Sequence, residues 1–257
     1  MEIIIPMTGN GSRFVNAGYP NLKPLIKVNG KPMIDWVCKM FPNDQHKITF
    51  ICRDDHILKY PNLKKILKKS APGSRIIIIE NWKKKGPAFD VLSCIDEIEN
   101  SEIIISYCDY YMIWDYKKFK KDLKKFNPDG AVPCYTNFHP HLIPKKNLYA
   151  SCKINSKKNL IKIKEKYQFN KNKELDFNSP GLYYFKNKEI IKKYFQKMID
   201  ANDMIGGEYY VSLPFNYLVK DGLKVWCPPN VEFFCQWGTP EDLEEFNYWS
   251  KCQGVNR

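Results

Sequence analysis

The chain has 257 residues, 44% of them hydrophobic, a share that excludes wholesale disorder and is enough for a sizeable core. No apolar run approaches the length of a membrane span. The formal net charge of +13 fits either anionic partners (nucleic acid, an anionic membrane surface or phosphorylated small molecules) or a solvated basic face.

The opening "MEIIIPM" is too short for a signal peptide and has no cationic start, so it reads as a first strand over 2–7. Further strand-like runs lie at 47–53, 75–80 and 102–108, and helical patterns lie between them at 32–41, 55–69 and 87–99. In the last of these, Ala88, Val91, Leu92, Ile95 and Ile98 share one face. Strands separated by helix-length crossovers predict an α/β fold with a doubly wound, mostly parallel sheet. Continuous apolar strands such as "RIIIIE" suit a sheet covered on both faces.

Along "YKKFKKDLKKF", Phe119, Leu123 and Phe126 recur at helical spacing with lysines between them, so 116–126 reads as an amphipathic helix with its basic side in water. Residues 130–186 carry several short β patterns and polar loops, an additional small β region. Helices are predicted over about 187–200 and, despite Pro214, across "GEYYVSLPFNYLVKDG". A last helix should start after Thr239, with Pro240 at its first position and Glu241 and Asp242 in its first turn. With no Pro-, Gly- or Ser-rich linker and no repeat, one continuous domain over 1–257 is the simplest organisation. The nine cysteines are scattered, and none forms a CxxC pair. That usage favours reduced thiols and a cytoplasmic setting.

The chemistry concentrates where the first strand ends. Gly9 and Gly11 follow it directly, and glycine lets backbone N–H groups turn closely around an anion. Ser12 adds a hydroxyl, and Arg13 a permanent charge with a planar fork suited to phosphate oxygens. In parallel sheets ligands bind beyond the carboxyl ends of the strands, which is where this loop lies. It is no Walker A loop, because no Gly-Lys-Ser/Thr is present, and Phe14 stands where a dinucleotide fingerprint has its third glycine. In "NLKPLIKVNGKPMIDWV", Lys23 can reach back over the glycines toward phosphates.

With these residues the chain resembles the sugar-phosphate nucleotidylyltransferases, whose beginning reads approximately G-x-G-[ST]-R…KP-[LM]-x-x-[VI]-x-[GN]-[KR]-P-[ML]-[IL]; Thr8 stands where that pattern usually has Ala. The resemblance implies a Rossmann-like nucleotidyltransferase fold akin to GT-A enzymes. It implies a nucleotide-binding half over about 1–130 and an acceptor-binding half over about 131–257. Met7, Thr8, Gly9, Asn10, Gly11 and Ser12 would cradle the nucleotide, with Arg13 and Lys23 as the catalytic cations. "KKGPAFDVLSCI" is similar to the segment that meets the nucleobase, here Gly86, Pro87 and Ala88. "EIIISYCDYYMIWD" is similar to the strand ending in a metal-binding aspartate, here Asp109, for Mg²⁺. "KIKEKYQF" and "SPGLYYF" resemble acceptor-binding segments, carried here to Glu165, Lys166 and Gly181, and Glu208 joins them from "GGEYYVSLPFNYLVKDG". "WGTPEDL" is a further family landmark, but Gln236 stands where a second metal-ligating aspartate is common. An amide is a poorer ligand for a hard cation.

The implied partners are a nucleoside triphosphate and a phosphorylated small-molecule acceptor, with neither nucleic acid nor membrane; homo-oligomerisation is left open. "PMTGNGSRF", "GYPNLKPLIKV" and "CQWGTPEDL" resemble a branch of small bacterial members encoded with capsule genes. Two other readings compete. A GT-A-type glycosyltransferase would bind a nucleotide sugar through a D-x-D-like motif, whereas "CDYYMIWD" offers only Asp109 in a comparable place. A basic nucleic-acid-binding module would bind oligonucleotides with a steep salt dependence, but no groove-reading or base-stacking motif is present.

Overall fold

The run of isoleucines at the start of the chain does what β-branched residues buried on both sides do: Glu2–Pro6 is an interior strand of a sheet. The structure is a computed structural model that describes residues 1–42, 46–139, 142, 147 and 149–252. Among them, seven strands form the main sheet in the order Val225–Trp226, Gly130–Ala131, Leu182–Phe185, Ile103–Ser106, Glu2–Pro6, Lys47–Arg53, Arg75–Ile79. Every neighbouring pair is parallel except those made by Leu182–Phe185, which runs against both its neighbours.

Alternation along the strands sorts side chains to two opposite faces. Ile3, Ile5, Phe50 and Ile104 pack against Ile34 and Val37, Leu63 and Leu67, and Phe119 and Leu123, from helices Met33–Lys39, Leu63–Ser70 and Tyr116–Phe126. Ile4, Ile51, Ile77 and Ile105 pack against Val91, Tyr194, Phe195 and Phe215, from helices Pro87–Cys94, Lys188–Asp200 and Pro214–Lys220. The sheet is therefore doubly wound. Two smaller sheets complete the β structure. One holds Leu160–Lys164, Ser151–Ile154 and Phe177–Asn178; the other pairs Tyr110–Trp114 with Val231–Gln236. No described helix is long and apolar enough to cross a membrane.

Two predicted helices differ. The pattern over 55–69 is broken into Asp54–Lys59 and Leu63–Ser70. Pro61 lies in the break: it supplies no N–H, and it disfavours helical geometry in the residue before it. The helix expected across residues 207–222 covers only Pro214–Lys220. Pro214 does not interrupt it but starts it, at the position where a missing N–H costs nothing. The last helix, Pro240–Cys252, begins as expected after Thr239. The Asp242 N–H donates to Thr239 Oγ1 at 3.2 Å, while the Thr239 N–H and hydroxyl donate to Asp242 Oδ2 at 3.1 and 2.8 Å. This reciprocal cap fixes the turn that precedes the helix.

Candidate active site

Three segments meet beside Asp109 at the carboxyl end of the sheet. The first is the glycine loop, where Gly11 takes φ +60°, a left-handed conformation that side-chain-bearing residues rarely adopt. The second is Lys23, opening the short 3-10 turn Lys23–Leu25. The third is Trp237–Thr239, carried in because Val231–Gln236 pairs with Tyr110–Trp114 and sets Gln236 opposite Tyr110. The Trp237 N–H then donates to the Asp109 carbonyl at 3.1 Å. Lys23 Nζ joins all of this together, donating to Asp109 Oδ2 at 2.7 Å and to the Gly238 carbonyl at 2.8 Å. A Cβ at Gly238 would lie 2.2 Å from Gln236 Nε2, so a larger residue there would displace the Gln236 amide.

Two adjoining cavities open here. The larger, about 430 Å³, is lined by Gly9, Asn10, Gly11, Ser12, Arg13, Lys23 and Asp109 on one side and by Glu165, Lys166, Gly181 and Glu208 on the other. The smaller, about 230 Å³, is lined by Met7, Thr8, Gly86 and Pro87, and shares Gly9, Asn10, Gly11, Lys23, Asp109 and Glu208 with its neighbour. Of the predicted residues only Ala88 lines neither cavity: it is fully buried, and its N–H is taken by the Tyr209 carbonyl at 3.1 Å. A third cavity of about 500 Å³ lies beside helix Pro240–Cys252, but it is walled by aromatic rings such as Trp36 and Trp249 and has no lysine or arginine. It is unsuited to a polyanion.

The smaller cavity has a polar floor. Asp90, buried on helix Pro87–Cys94, accepts from the Thr8 hydroxyl through Oδ2 and from Trp82 Nε1 through Oδ1 at 3.0 Å. Burial pushes its carboxyl pKa up, while the two donors and the nearby Arg53 pull it back. Arg53 covers the Trp82 ring at 4.0 Å and donates to the Thr8 carbonyl at 3.3 Å and to Asn10 Oδ1. It is itself held by Asp55.

The opposite wall of the larger cavity is aromatic and charged. Gly181 takes φ +98°, with its Cα against Tyr107: a Cβ there would come within 2.9 Å of the ring. Lys166 takes φ +51° and its Nζ lies 5.4 Å from the Tyr210 ring centre. Glu208 pairs with Lys84 at 3.4 Å. Glu165 accepts from the Ser212 hydroxyl, and burial pushes its carboxyl from 4.5 to about 7, against that hydrogen bond and Lys166. Between these two pH values the folded chain keeps a proton that the unfolded chain has lost, so the Glu165 contribution to stability falls as pH rises through the window. Glu165→Gln is expected to flatten that decline. Thermal unfolding followed from pH 4 to pH 8 checks it, and an unchanged profile would return Glu165 to ordinary ionisation.

The donor set bears on a divalent cation. Asp109 Oδ2 is engaged by Lys23, while Oδ1 has no partner among the described residues. The described residues bring no group of three or more acidic or histidine ligands together here. A single carboxylate open to this cavity fits a hard divalent cation that is held by one or two carboxylates together with substrate phosphates.

Neither protein-family models nor curated protein sequences match the chain. Solved structures do. A nucleoside-diphosphate-sugar pyrophosphorylase from Vibrio cholerae RC9 is similar with a TM-score of 0.75 and 19% identity, over 96% of this chain and 99% of that one. The inositol-1-phosphate CTP transferase from T. maritima gives 0.70 and 15% over 98% and 96%. HddC from Yersinia pseudotuberculosis gives 0.62 and 19% over 99% of each. The chain shares the fold of these structures. Within it, the residues singled out by sequence gather at one place, apart from Ala88. Arg53, Asp90 and Gly238 had not been singled out. Asp90 and Gly238 sit in segments already noted, but their roles depend on partners 82 and 215 residues away. Trp82 carried a weak signal as an aromatic next to a lysine run.

Proposed function

We propose that the chain is a nucleotidylyltransferase that joins a nucleoside triphosphate to a phosphorylated small acceptor and releases pyrophosphate. The observation that carries this reading is the meeting of Lys23, Asp109 and the Gly9–Gly11 loop on a cavity whose other wall holds Lys166 and Glu165. An acceptor phosphate oxygen attacks the α-phosphorus; the bond from that phosphorus to the bridging oxygen breaks, and its electron pair leaves with pyrophosphate. The nucleophile is already anionic at neutral pH, so no general base is needed. The task is to align two anions and offset their repulsion.

Arg13, exposed at the rim of the cavity, is assigned to the leaving pyrophosphate, Lys23 to the α-phosphate and Lys166 to the acceptor phosphate. Met7 to Ser12 cradle the nucleotide, with Gly86 and Pro87 beside its base; Gly181, Glu165 and Glu208 meet the acceptor. This divides the nucleotide and acceptor between residues about 1–130 and 131–257. Asp109 would hold Mg²⁺, which supplies charge neutralisation across the phosphates when bound. Gln236 lines the same cavity and leaves the site with one carboxylate where two are common in the family.

For the substrates we propose CTP and phosphoglutamine, the pair used by the CTP:phosphoglutamine cytidylyltransferase of capsular phosphoramidate synthesis. The resemblance of "PMTGNGSRF", "GYPNLKPLIKV" and "CQWGTPEDL" to that branch supports the choice. Pyrophosphate release from four triphosphates, each paired with phosphoglutamine and with sugar 1-phosphates, tests it. Release is expected with CTP and phosphoglutamine. Release only with a sugar 1-phosphate would keep the reaction and replace the acceptor, and no release with any pair would overturn the reading. Lys166→Ala should raise the acceptor KM at least about tenfold, the scale of one hydrogen bond to a charged group, with triphosphate affinity unchanged. Equal loss of triphosphate affinity in a direct titration would reassign Lys166 to the other substrate.

A further inference from the structure

We infer that Asp90 is the specificity-determining residue for the nucleobase, accepting a hydrogen bond from the exocyclic amino group of cytosine while Trp82 packs on the ring. The inference rests on the proposed triphosphate site and extends it to base selection. The two cavities divide the nucleotide by their chemistry. The larger holds Arg13 and Lys166, which the smaller lacks, besides Lys23 and Lys84, which line both, and suits phosphates. The smaller is about half its volume, 230 against 430 Å³, and combines the apolar surfaces of Met7, Pro24, Pro87 and Trp82 with a buried carboxylate. That is a place for a flat, partly polar base. The glycines, Asn10 and Lys23, common to both, mark where sugar and α-phosphate would join them.

Trp82 lines this cavity and Arg53 does not, although Arg53 sits over the indole at 4.0 Å. Arg53 therefore takes one face of the ring and leaves the other for a base. Asp90 is equally fixed. It is 2% exposed and takes one donor on each oxygen, from Thr8 and from Trp82. A carboxylate oxygen accepts two hydrogen bonds, so each retains one acceptor position. Because both partners are donors, the group acts as an acceptor, and its neighbours hold its orientation before any ligand arrives. At the edge where cytosine presents an N–H donor, uracil and thymine present a carbonyl oxygen. Against Asp90 the first gains a charge-assisted hydrogen bond, and the others set two acceptors face to face without water to separate them.

The test uses the intact protein and three triphosphates: CTP; pyrimidin-2-one ribonucleoside triphosphate, which differs from it only in carrying hydrogen in place of the amino group; and UTP, which has a carbonyl there and also a proton on the adjacent ring nitrogen. Direct titration of the wild-type protein is expected to rank CTP first and the hydrogen analogue at least about tenfold weaker, as for loss of one hydrogen bond to a charged group, with UTP weaker still. Asp90→Asn should narrow the gap between CTP and UTP at least about tenfold, since its carbonyl can serve Trp82 and its amide can donate to the base or to Thr8. CTP binding no tighter than the hydrogen analogue, or an Asp90→Asn protein that folds and keeps the wild-type CTP preference, would make Asp90 only a strut between Thr8 and Trp82. Preference for UTP or a purine triphosphate would also overturn the inference while leaving nucleotidyl transfer standing. Failure to bind any triphosphate would instead sink the proposed function. The analogue titration needs no variant, so a misfolded Asp90→Asn still leaves a decisive result.

Discussion

Asp109→Asn is expected to lower Mg²⁺-supported turnover by about 10³-fold, the several kcal/mol typical of a lost metal contribution to charge stabilisation. The substitution keeps size and shape, so packing is preserved. It weakens the ion pair with Lys23, but the two side chains are 16% and 29% exposed and Lys23 still donates to the Gly238 carbonyl at 2.8 Å. The side-chain amide oxygen of the variant can also still accept from Lys23, so the variant should fold. With Mg²⁺ removed, the variant should bind the triphosphate more tightly than the parent, because one negative charge facing the phosphates is gone. Steady-state pyrophosphate release over a range of Mg²⁺ concentrations, together with metal-free titration, measures both effects. A rate and a metal dependence equal to those of the parent would remove Asp109 from the mechanism.

Gly86→Ala is expected to cost at least about 3 kcal/mol of stability and to abolish triphosphate binding, combining backbone strain with overpacking. Gly86 takes φ +99° and ψ 165°, a region essentially closed to other residues. A Cβ there would lie 2.6 Å from the Tyr209 nitrogen and 2.8 Å from its oxygen. Those two atoms cannot withdraw cheaply. The Tyr209 N–H donates to the Lys85 carbonyl at 2.8 Å, and the Ala88 N–H donates to the Tyr209 carbonyl at 3.1 Å. The strand-like clasp between 85–88 and 208–209 must open to admit a methyl group, and it forms one wall of the smaller cavity. Urea unfolding and a CTP titration test this. Stability within about 1 kcal/mol of the parent would mean that the clasp yields more easily than its hydrogen bonds imply.

The four parallel strands of the first half were legible because β-branched runs long enough for a strand, spaced by helix-length segments, have few other uses. The glycine loop was legible for a related reason: two glycines after a buried strand are costly unless the backbone must turn tightly there. Local signals failed where punctuation was misread. Pro214 looked like an interruption of a helix and is its first residue, and Pro61 divides a pattern that periodicity alone would continue. The acceptor wall was legible only through resemblance, since Lys166 is one lysine in a lysine-rich stretch and nothing local marks the left-handed turn it occupies. The grip of Asp90 on Thr8 and of Lys23 on Gly238 joins positions that only the closed sheet brings together.

The strand Leu182–Phe185 lies between Ile103–Ser106 and Gly130–Ala131, although it follows both in the chain. During synthesis on a ribosome, the first three parallel pairings can form from residues up to 106, but the growing sheet then ends on the bare edge of Ile103–Ser106. That edge is apolar and unpaired, the condition that invites intermolecular strand pairing. It stays open until residue 185 has emerged, and Lys23 waits longer still, for a carbonyl 215 residues downstream. Nascent chains stalled between about 110 and 180 should therefore need chaperone protection and aggregate when released, whereas chains extended past the Thr239 turn should resist proteolysis.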